Sequence, residues 1–348
     1  MQKQIIGWDI GGAHVKTALL NGNGMVSQVI QEPCPLWKGL DYLDRALSAI
    51  LRSLPPGPYL HAVTMTGELA DCFASREQGV QAIIRAMQAK LHGEDLLIFA
   101  GRSGFLKADE VQQVHTMAIA SANWLASAEL AAKQCRDALF VDVGSTTSDI
   151  LLIENHEVLA LGLSDYQRLV SGELLYTGIV RTAVMAIAQQ AEFNGQTMGL
   201  MAEYFATMAD VYRLTGDLNE AHDQAETADG AEKTPQASAR RLSRLTGYEF
   251  AETDWDIWLQ FARHLKERQK QAIRLACLKQ MARSSKPDKP SMIGAGVGRF
   301  LVKEIAAEQG IDYVDFTQCC TTASVDSDID AADCAPAVAV AYLAGGFC

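Results

Sequence analysis

The N-terminal hydrophobic pattern is short and broken by glycine. Ile5-Ile6 runs into Gly7-Trp8-Asp9-Ile10, a Gly11-Gly12 turn follows, and Val15–Leu20 is apolar again except at Lys16 and Thr17. This spacing predicts two strands around a turn, and Asn21-Gly22-Asn23-Gly24 is a second hairpin turn. Leu40–Leu51 has helical spacing and is closed off by Pro55-Pro56. A strand is predicted at Ala62–Met65, a helix at about 78–92 and a strand at Leu96–Phe99. Val114–Lys133 reads as a small-residue helix suited to close packing between domains. From Leu139 to Ile153 the strand–turn–strand pattern returns. Residues from Tyr166 to about Arg283 read as mostly helical, with a helix over Leu174–Gln190 and a long amphipathic one over Trp255–Leu278. Ser284–Pro290 is a loop, Arg299–Gln309 a helix, and Ala331–Phe347 another small-residue helix.

Composition narrows the class. The 348 residues are 49% hydrophobic and 21% charged, enough for two domains with sizeable cores. The boundaries predicted are 1–134 for a first α/β domain and 135–330 for a second, with the helix at 331–348 packing back on the first. A net charge of −12 argues against a general nucleic-acid binder. No apolar run is long enough to span a bilayer. The opening MQKQIIGWDIGG has no signal-peptide pattern, so a cytoplasmic protein is expected. The eight cysteines form no Cys-x-x-Cys pair and no zinc-like spacing with histidine, which favours reduced, mostly buried thiols. The vicinal pair Cys319-Cys320 fits packing or redox chemistry.

The glycine turns carry the candidate chemistry. Two adjacent glycines bend the chain and expose N–H groups to an anion, and an aspartate just before such a turn shares that anion only through a cation. Asp9, Gly11, Gly12, Ala13 and Lys16 therefore suggest phosphate plus Mg²⁺. The second hairpin repeats the pattern with Asp142, Gly144, Ser145, Thr146, Thr147 and Asp149. Asp9 and Asp142 would hold one hydrated Mg²⁺ between the domains. A third turn, Gly294-Ala295-Gly296-Val297-Gly298, opens the helix at Arg299. In this order the three turns resemble the phosphate-1, phosphate-2 and adenosine segments of the actin-like ATPase/sugar-kinase superfold. The resemblance implies a two-domain actin-like (ribonuclease H-like) α/β fold with a helical insertion at about 166–283. The third turn does not fit Gly-x-Gly-x-x-Gly, because Arg299 takes the last position.

Other residues have two readings each. Glu68 and Asp71 follow a strand end, where they either charge a helix N-terminus or serve a site. Thr177 and Arg181, four apart on the predicted helix, either contact an anion or pair at the surface. Residues 216–233 are polar and acidic: a solvated loop, or a mobile lid carrying His222 and Asp223 as metal or substrate candidates.

Six segments are together similar to one family: GWDIGGAHVKTA, VTMTGELADCF, VDVGSTTSDI, SGELLYTGIVRT, MADVYRLTGDL with ETADG, and IGAGVGRFL. They resemble the hydantoinase/oxoprolinase-related proteins of tetrahydromethanopterin-linked one-carbon transfer, across essentially the whole chain. The resemblance implies a transferase of methanofuran-type cofactor biosynthesis. It would join an aminomethyl-furanylmethyl diphosphate to the phenol of a tyramine- or tyrosine-derived acceptor, forming an aryl ether and releasing pyrophosphate. By this analogy Asp9, Gly11, Gly12, Ala13, His14, Lys16, Asp142, Gly144, Ser145, Thr146, Thr147 and Asp149 hold Mg²⁺-diphosphate, with Thr177 and Arg181 as further phosphate contacts. A phenol ionises near about pH 10, so a base is expected among Glu68, Glu173 and Asp149. Gly294, Gly296 and Gly298 would hold an adenosine or part of the furan substrate. ATP is compatible with such a fold but not required. The expected partners are the two small molecules, with no nucleic acid and no membrane, and a homo-oligomer is left open. Two rivals remain: an ATP-dependent kinase or hydantoinase-like ATPase, and a nucleotide-binding switch protein without turnover.

Overall fold

In the computed structural model, which describes residues 3–323 and 328–347, the first hairpin is Gln4–Ile10 (β1) and His14–Leu20 (β2), extended by Val26–Pro33 (β3). Leu40–Ser53 (α1), Tyr59–Met65 (β4), Arg76–Leu91 (α2), Asp95–Phe99 (β5) and Phe105–Lys107 (β6) follow. The six strands form one sheet in the order β3-β2-β1-β4-β5-β6, with β4 parallel to β1 and β5 parallel to β4. Thr116–Ile119 (α3) and Asn123–Gln134 (α4) lead to the second half.

There Ala138–Val143 (β7) and Ser148–Glu154 (β8) repeat the hairpin, followed by Glu157–Val158 (β9), Asp165–Ser171 (α5) and Leu174–Leu175 (β10). Next come Val184–Ile187 (α6), the hairpin Gln190–Phe193 (β11) with Gln196–Gly199 (β12), Met208–Thr215 (α7), Pro235–Thr246 (α8) and Trp255–Met281 (α9). Ser291–Ala295 (β13), Arg299–Gln309 (α10), Tyr313–Asp315 (β14) and Ala335–Gly345 (α11) complete the described chain. The second sheet runs β10-β8-β7-β13-β14, so each half places its first hairpin, its third strand and two parallel crossover strands alike. Cys348 and residues 324–327, part of the predicted boundaries, lie outside the described residues.

Strand parity explains the layering. Ile6, Trp8 and Ile10 of β1 pack with α1 and α2, whereas Ile5, one residue out of phase, joins a core that contains α4 and α11. In β7, Leu139, Val141 and Val143 face α9 and α10, while Ala138 and Phe140 face the shared core. Helix α11 packs on β1, β2 and β4, and α4 packs on β7, β8 and β9 as well as on α11. The two helices thus lie between the sheets. A helix apolar on all sides, as APAVAVAYLAG is, belongs in such a place. Gly7 permits the approach: a Cβ there would stand 1.9 Å from the Ala337 carbonyl oxygen.

Three expectations are corrected. The helix expected over 174–190 is a two-residue strand, an irregular stretch and the short α6, because the amides of Ile179, Val180 and Arg181 bond to the carbonyls of Gly144 and Ser145 instead of to their own chain. The helix expected over 114–133 breaks between α3 and α4, where Ser121 has a φ of 50°. The stretch 216–233 keeps much of its surface in solvent but is not a free lid. Arg213 binds Glu220 and Asp223, Arg241 binds Asp210 and Asp229, and Gln224 donates to the Gln31 carbonyl on β3.

Candidate active site

The two hairpin turns are built alike. Asp9 pairs with Lys16 across β1–β2, and Asp142 pairs with Asp149 across β7–β8. In each turn the glycine two residues after the aspartate donates its N–H to the carbonyl three residues on: Gly11 to His14 and Gly144 to Thr147, both at 2.9 Å. The next carbonyl is held from behind, Gly12 by the Leu36 amide and Ser145 by those of Val180 and Arg181. Because a trans peptide points N–H and C=O in opposite directions, the Ala13 amide faces away from Leu36. Both turns line one cleft of about 620 Å³ between the halves of the chain.

Carboxylates crowd this cleft. Burial pushes Asp9 up to about 6 against the pull of Lys16, and leaves its Oδ1 without a hydrogen-bond partner. Burial pushes Asp142 up to about 7, with Asp149, Asp9 and Asp333 adding to the rise and Lys16 opposing it. Asp149 is raised by burial and held back by Arg168, which donates to it and lies 4.0 Å over the Trp124 ring. Lys16 Nζ donates to the Asp333 carbonyl at 2.6 Å, and Arg181 sits 5.1 Å over Trp37. His14 is pushed down to about 3 by burial and by Lys16 and Arg181, so it is neutral near pH 7. Among the described residues no three His, Cys, Asp or Glu side chains form a ready-made ligand cage. An orphaned Asp9 oxygen beside a carboxylate that resists ionisation nevertheless fits a hard divalent ion that keeps several waters.

The structure brings together Asp9, Gly11, Gly12, Ala13, His14, Lys16, Asp142, Gly144, Ser145, Thr146, Thr147, Asp149 and Arg181 on the cleft walls, with Asp71 at the edge. Other residues lie elsewhere. Glu173 is wholly buried and accepts from the amides of Leu161 and Gly162, from Ser171 and from Arg283. The Thr177 hydroxyl accepts from Gln269 at 2.7 Å. Neither lines the cleft: Glu173 is taken up by the amides of the preceding loop and Thr177 by Gln269 of α9. Glu68 stands just behind the wall.

The third turn folds against the second. Gly298 N–H donates to Val143 C=O at 2.8 Å, and a Cβ on Gly296 (φ 77°) would fall 2.2 Å from Asp142 Oδ1. Gly294 lies within β13, so these glycines shape the Asp142 turn rather than lining its cleft. A separate cavity of about 350 Å³ adjoins Val297 and Arg299. His222 lines that second cavity and bonds Asp333 at 3.2 Å, while Asp223 is held by Arg213.

Sequence reasoning missed Ser121, Asn123, Trp124, Asp165, Arg168 and Asp333 on the cleft wall. Asn123 and Asp333 each sit at the start of a small-residue helix, and that helix pair was the available signal. Arg168 and Asp165 had none, since their partners are distant in sequence.

A family model described as Hydantoinase/oxoprolinase matches residues 60–332. The chain is 33% identical over 246 residues, 70% of its own length and 72% of the relative's, to the (4-{4-[2-(gamma-L-glutamylamino)ethyl]phenoxymethyl}furan-2-yl)methanamine synthase of Methanocaldococcus jannaschii. It is 30% identical over 110 residues to the protein of the same name from Methanococcus vannielii, covering 32% of this chain and 49% of that one. Among solved structures, nucleotide-free acetone carboxylase superposes with a TM-score of 0.56 at 10% identity, covering 98% of this chain and 70% of that one. The fold is the two-domain actin-like α/β superfold, and no helix among the described residues is long and apolar enough to cross a membrane.

Proposed function

The chain belongs to the hydantoinase/oxoprolinase family, and from that membership we propose that it is an alkyl transferase of methanofuran-type cofactor synthesis. The reaction joins a furanylmethyl diphosphate to a phenol and releases pyrophosphate. The relatives' name describes the product such a reaction would give, a phenoxymethyl furan bearing a methanamine. The observation that carries the reading is the pair of matched glycine turns, each led by a buried aspartate, facing one cleft.

Under this reading the diphosphate lies across the two turns. The Ala13 amide, Lys16, Arg181 and the hydroxyls of Ser145, Thr146 and Thr147, all on the cleft wall, would bind its oxygens. Asp9 and Asp142 would hold Mg²⁺, which supplies charge neutralisation for the departing pyrophosphate. Trp37, Leu69, Leu169 and Tyr176 line the same cleft and offer apolar surface to aromatic rings. The phenol oxygen attacks the furanylmethyl carbon as the carbon–oxygen bond to diphosphate breaks. Of the three candidate bases, Glu173 is engaged away from the cleft and Asp149 by Arg168, which leaves Glu68.

An ATP-dependent kinase or hydantoinase-like ATPase is the second reading. The cavity beside the third turn favours it, but Asp217, Asp315, Asp330 and Asp333 among its walls oppose an anionic ligand. Equilibrium binding of pyrophosphate with Mg²⁺ tests the site. Asp142→Asn is expected to weaken it at least ~10-fold, about 1.4 kcal/mol. Equal binding by that variant contradicts the assignment.

A further inference from the structure

The break between α3 and α4 is a strained one. Ser121 has a φ of 50°, a left-handed backbone that residues other than glycine, asparagine and aspartate seldom adopt, while Ala120 bridges Met65 at the end of β4. Such outliers persist only where the surroundings impose them, and they collect at functional sites. Here the twist carries the Ser121 hydroxyl to the cleft wall between two carboxylates, 2.8 Å from Glu68 Oε1 and 3.3 Å from Asp165 Oδ2.

Glu68 has no evident structural task that needs its charge. It is 1% exposed, and its second oxygen, Oε2, has no hydrogen-bond partner. The nearest cation, Arg76, is bound to Asp165 at 2.8 Å. A buried carboxylate in that condition costs stability that an amide or apolar side chain would not. Glu68 cannot meet a substrate directly, because it stands behind the cleft wall, and Ser121 stands in front of it. A serine hydroxyl has one proton to give and two lone pairs to receive one, which is what a relay requires.

Resting on the transferase reading above, we propose that Ser121 is a catalytic proton relay: its Oγ receives the acceptor's phenolic proton while passing its own to Glu68. The phenol oxygen then forms its bond to the furanylmethyl carbon, and the electron pair of the breaking carbon–oxygen bond leaves on pyrophosphate. The proton on Glu68 returns to solvent by the same hydroxyl. The groups facing Glu68 are Ser121, Arg76 of α2 and Asp165 of α5, with its own backbone amide. Burial pushes it up to about 7, Asp165 adds to the rise, and Ser121, the backbone and Arg76 oppose it. A base poised near neutrality is well matched to the task.

The test is the pH profile of kcat from about pH 5.5 to 9.5 for the wild type, Ser121→Ala, Ser121→Gly and Glu68→Gln. With Mg²⁺ saturating, so that Asp142 stays ionised, the wild type is expected to lose rate below about pH 7 as Glu68 protonates. Both serine variants are expected to lose at least ~100-fold in kcat with KM little changed, and Glu68→Gln to lose the acid limb. Ser121→Gly relieves the backbone strain, so greater stability with lost activity separates a relay from a merely structural serine. Wild-type kcat with an unchanged limb in Ser121→Gly, or an unchanged limb in Glu68→Gln, overturns the proposal. If the wild type forms ADP from ATP in place of pyrophosphate, the transferase reading fails while the relay is scored on that reaction, which also deprotonates an acceptor. Independently of turnover, difference infrared titration in an Asp142→Asn background, which removes the other carboxyl near 7, is expected to show a carboxyl band titrating near pH 7 that disappears on adding Glu68→Gln and shifts on adding Ser121→Gly. No such band in the Asp142→Asn background overturns the proposal.

Discussion

Asp142 and Asp149 stand directly opposite each other across the β7–β8 hairpin, at the register position where the first hairpin sets Asp9 against Lys16. Like charges in a cross-strand pair destabilise a sheet, and burial adds to the cost. The pair is therefore a local instability that Arg168 relieves from one side and that a bound cation would relieve from the other.

Asp142→Asn separates that cost from its use. The folded pKa of Asp142, about 7, lies above its ordinary 3.8, so between these values the folded protein holds more protons than the unfolded one. Stability falls as pH rises through that window and is flat above it. The metal-free wild type is therefore expected to be more stable at about pH 5 than at about pH 8. Asp142→Asn should gain stability at the higher pH, by up to about 4 kcal/mol, and lose at least ~100-fold in activity. Denaturant melts at both pH values check the first expectation and turnover the second.

Arg168 is the second point of leverage. Arg168→Ala strands Asp149 opposite Asp142 and removes the stack on Trp124. A loss of about 3–5 kcal/mol is expected, and Asp149→Asn in the same chain should restore much of it. Chemical denaturation of the two single variants and the double variant measures the coupling; additive losses would refute it.

The fold was legible because its signature is local. Each Asp-Gly hairpin carries its own turn chemistry, and the two together imply paired sheets. The site was only partly legible, because half its walls come from long-range partners. Nothing near Arg168 announces that its guanidinium lies between Asp149 and Trp124. The acidic stretch 216–233 looked untethered because its partners, Arg213 and Arg241, belong to helices on either side of it. Helical spacing at Thr177 and Arg181 misled for a related reason: the backbone there is captured by the Gly144 and Ser145 carbonyls. The hairpin β11–β12 was readable and overlooked, since Asn194-Gly195 is a strong two-residue turn.

Gly7→Ala tests the contact that joins the chain's two ends. The added methyl would meet the Ala337 carbonyl 1.9 Å away and push α11 off β1. A loss of about 3 kcal/mol or more is expected from overpacking, read as a lowered denaturation midpoint. An unchanged midpoint would mean that α11 is not seated as described.

Glu173→Gln distinguishes a structural carboxylate from a chemical one. Its oxygens hold the amides of Leu161 and Gly162 and meet Arg283, so about 2–4 kcal/mol of stability should be lost. The folded fraction should keep the wild-type pH profile of kcat. A changed profile would return Glu173 to the list of bases.

The most direct measurement is product formation without ATP. The protein is incubated with a furanylmethyl diphosphate, a phenolic acceptor such as tyramine, and Mg²⁺; pyrophosphate is assayed and the ether is sought by mass spectrometry. The account predicts pyrophosphate that depends on the acceptor, with ether in equal amount. No pyrophosphate, but ADP once ATP is added, would contradict it and identify an enzyme that attacks phosphorus instead of carbon.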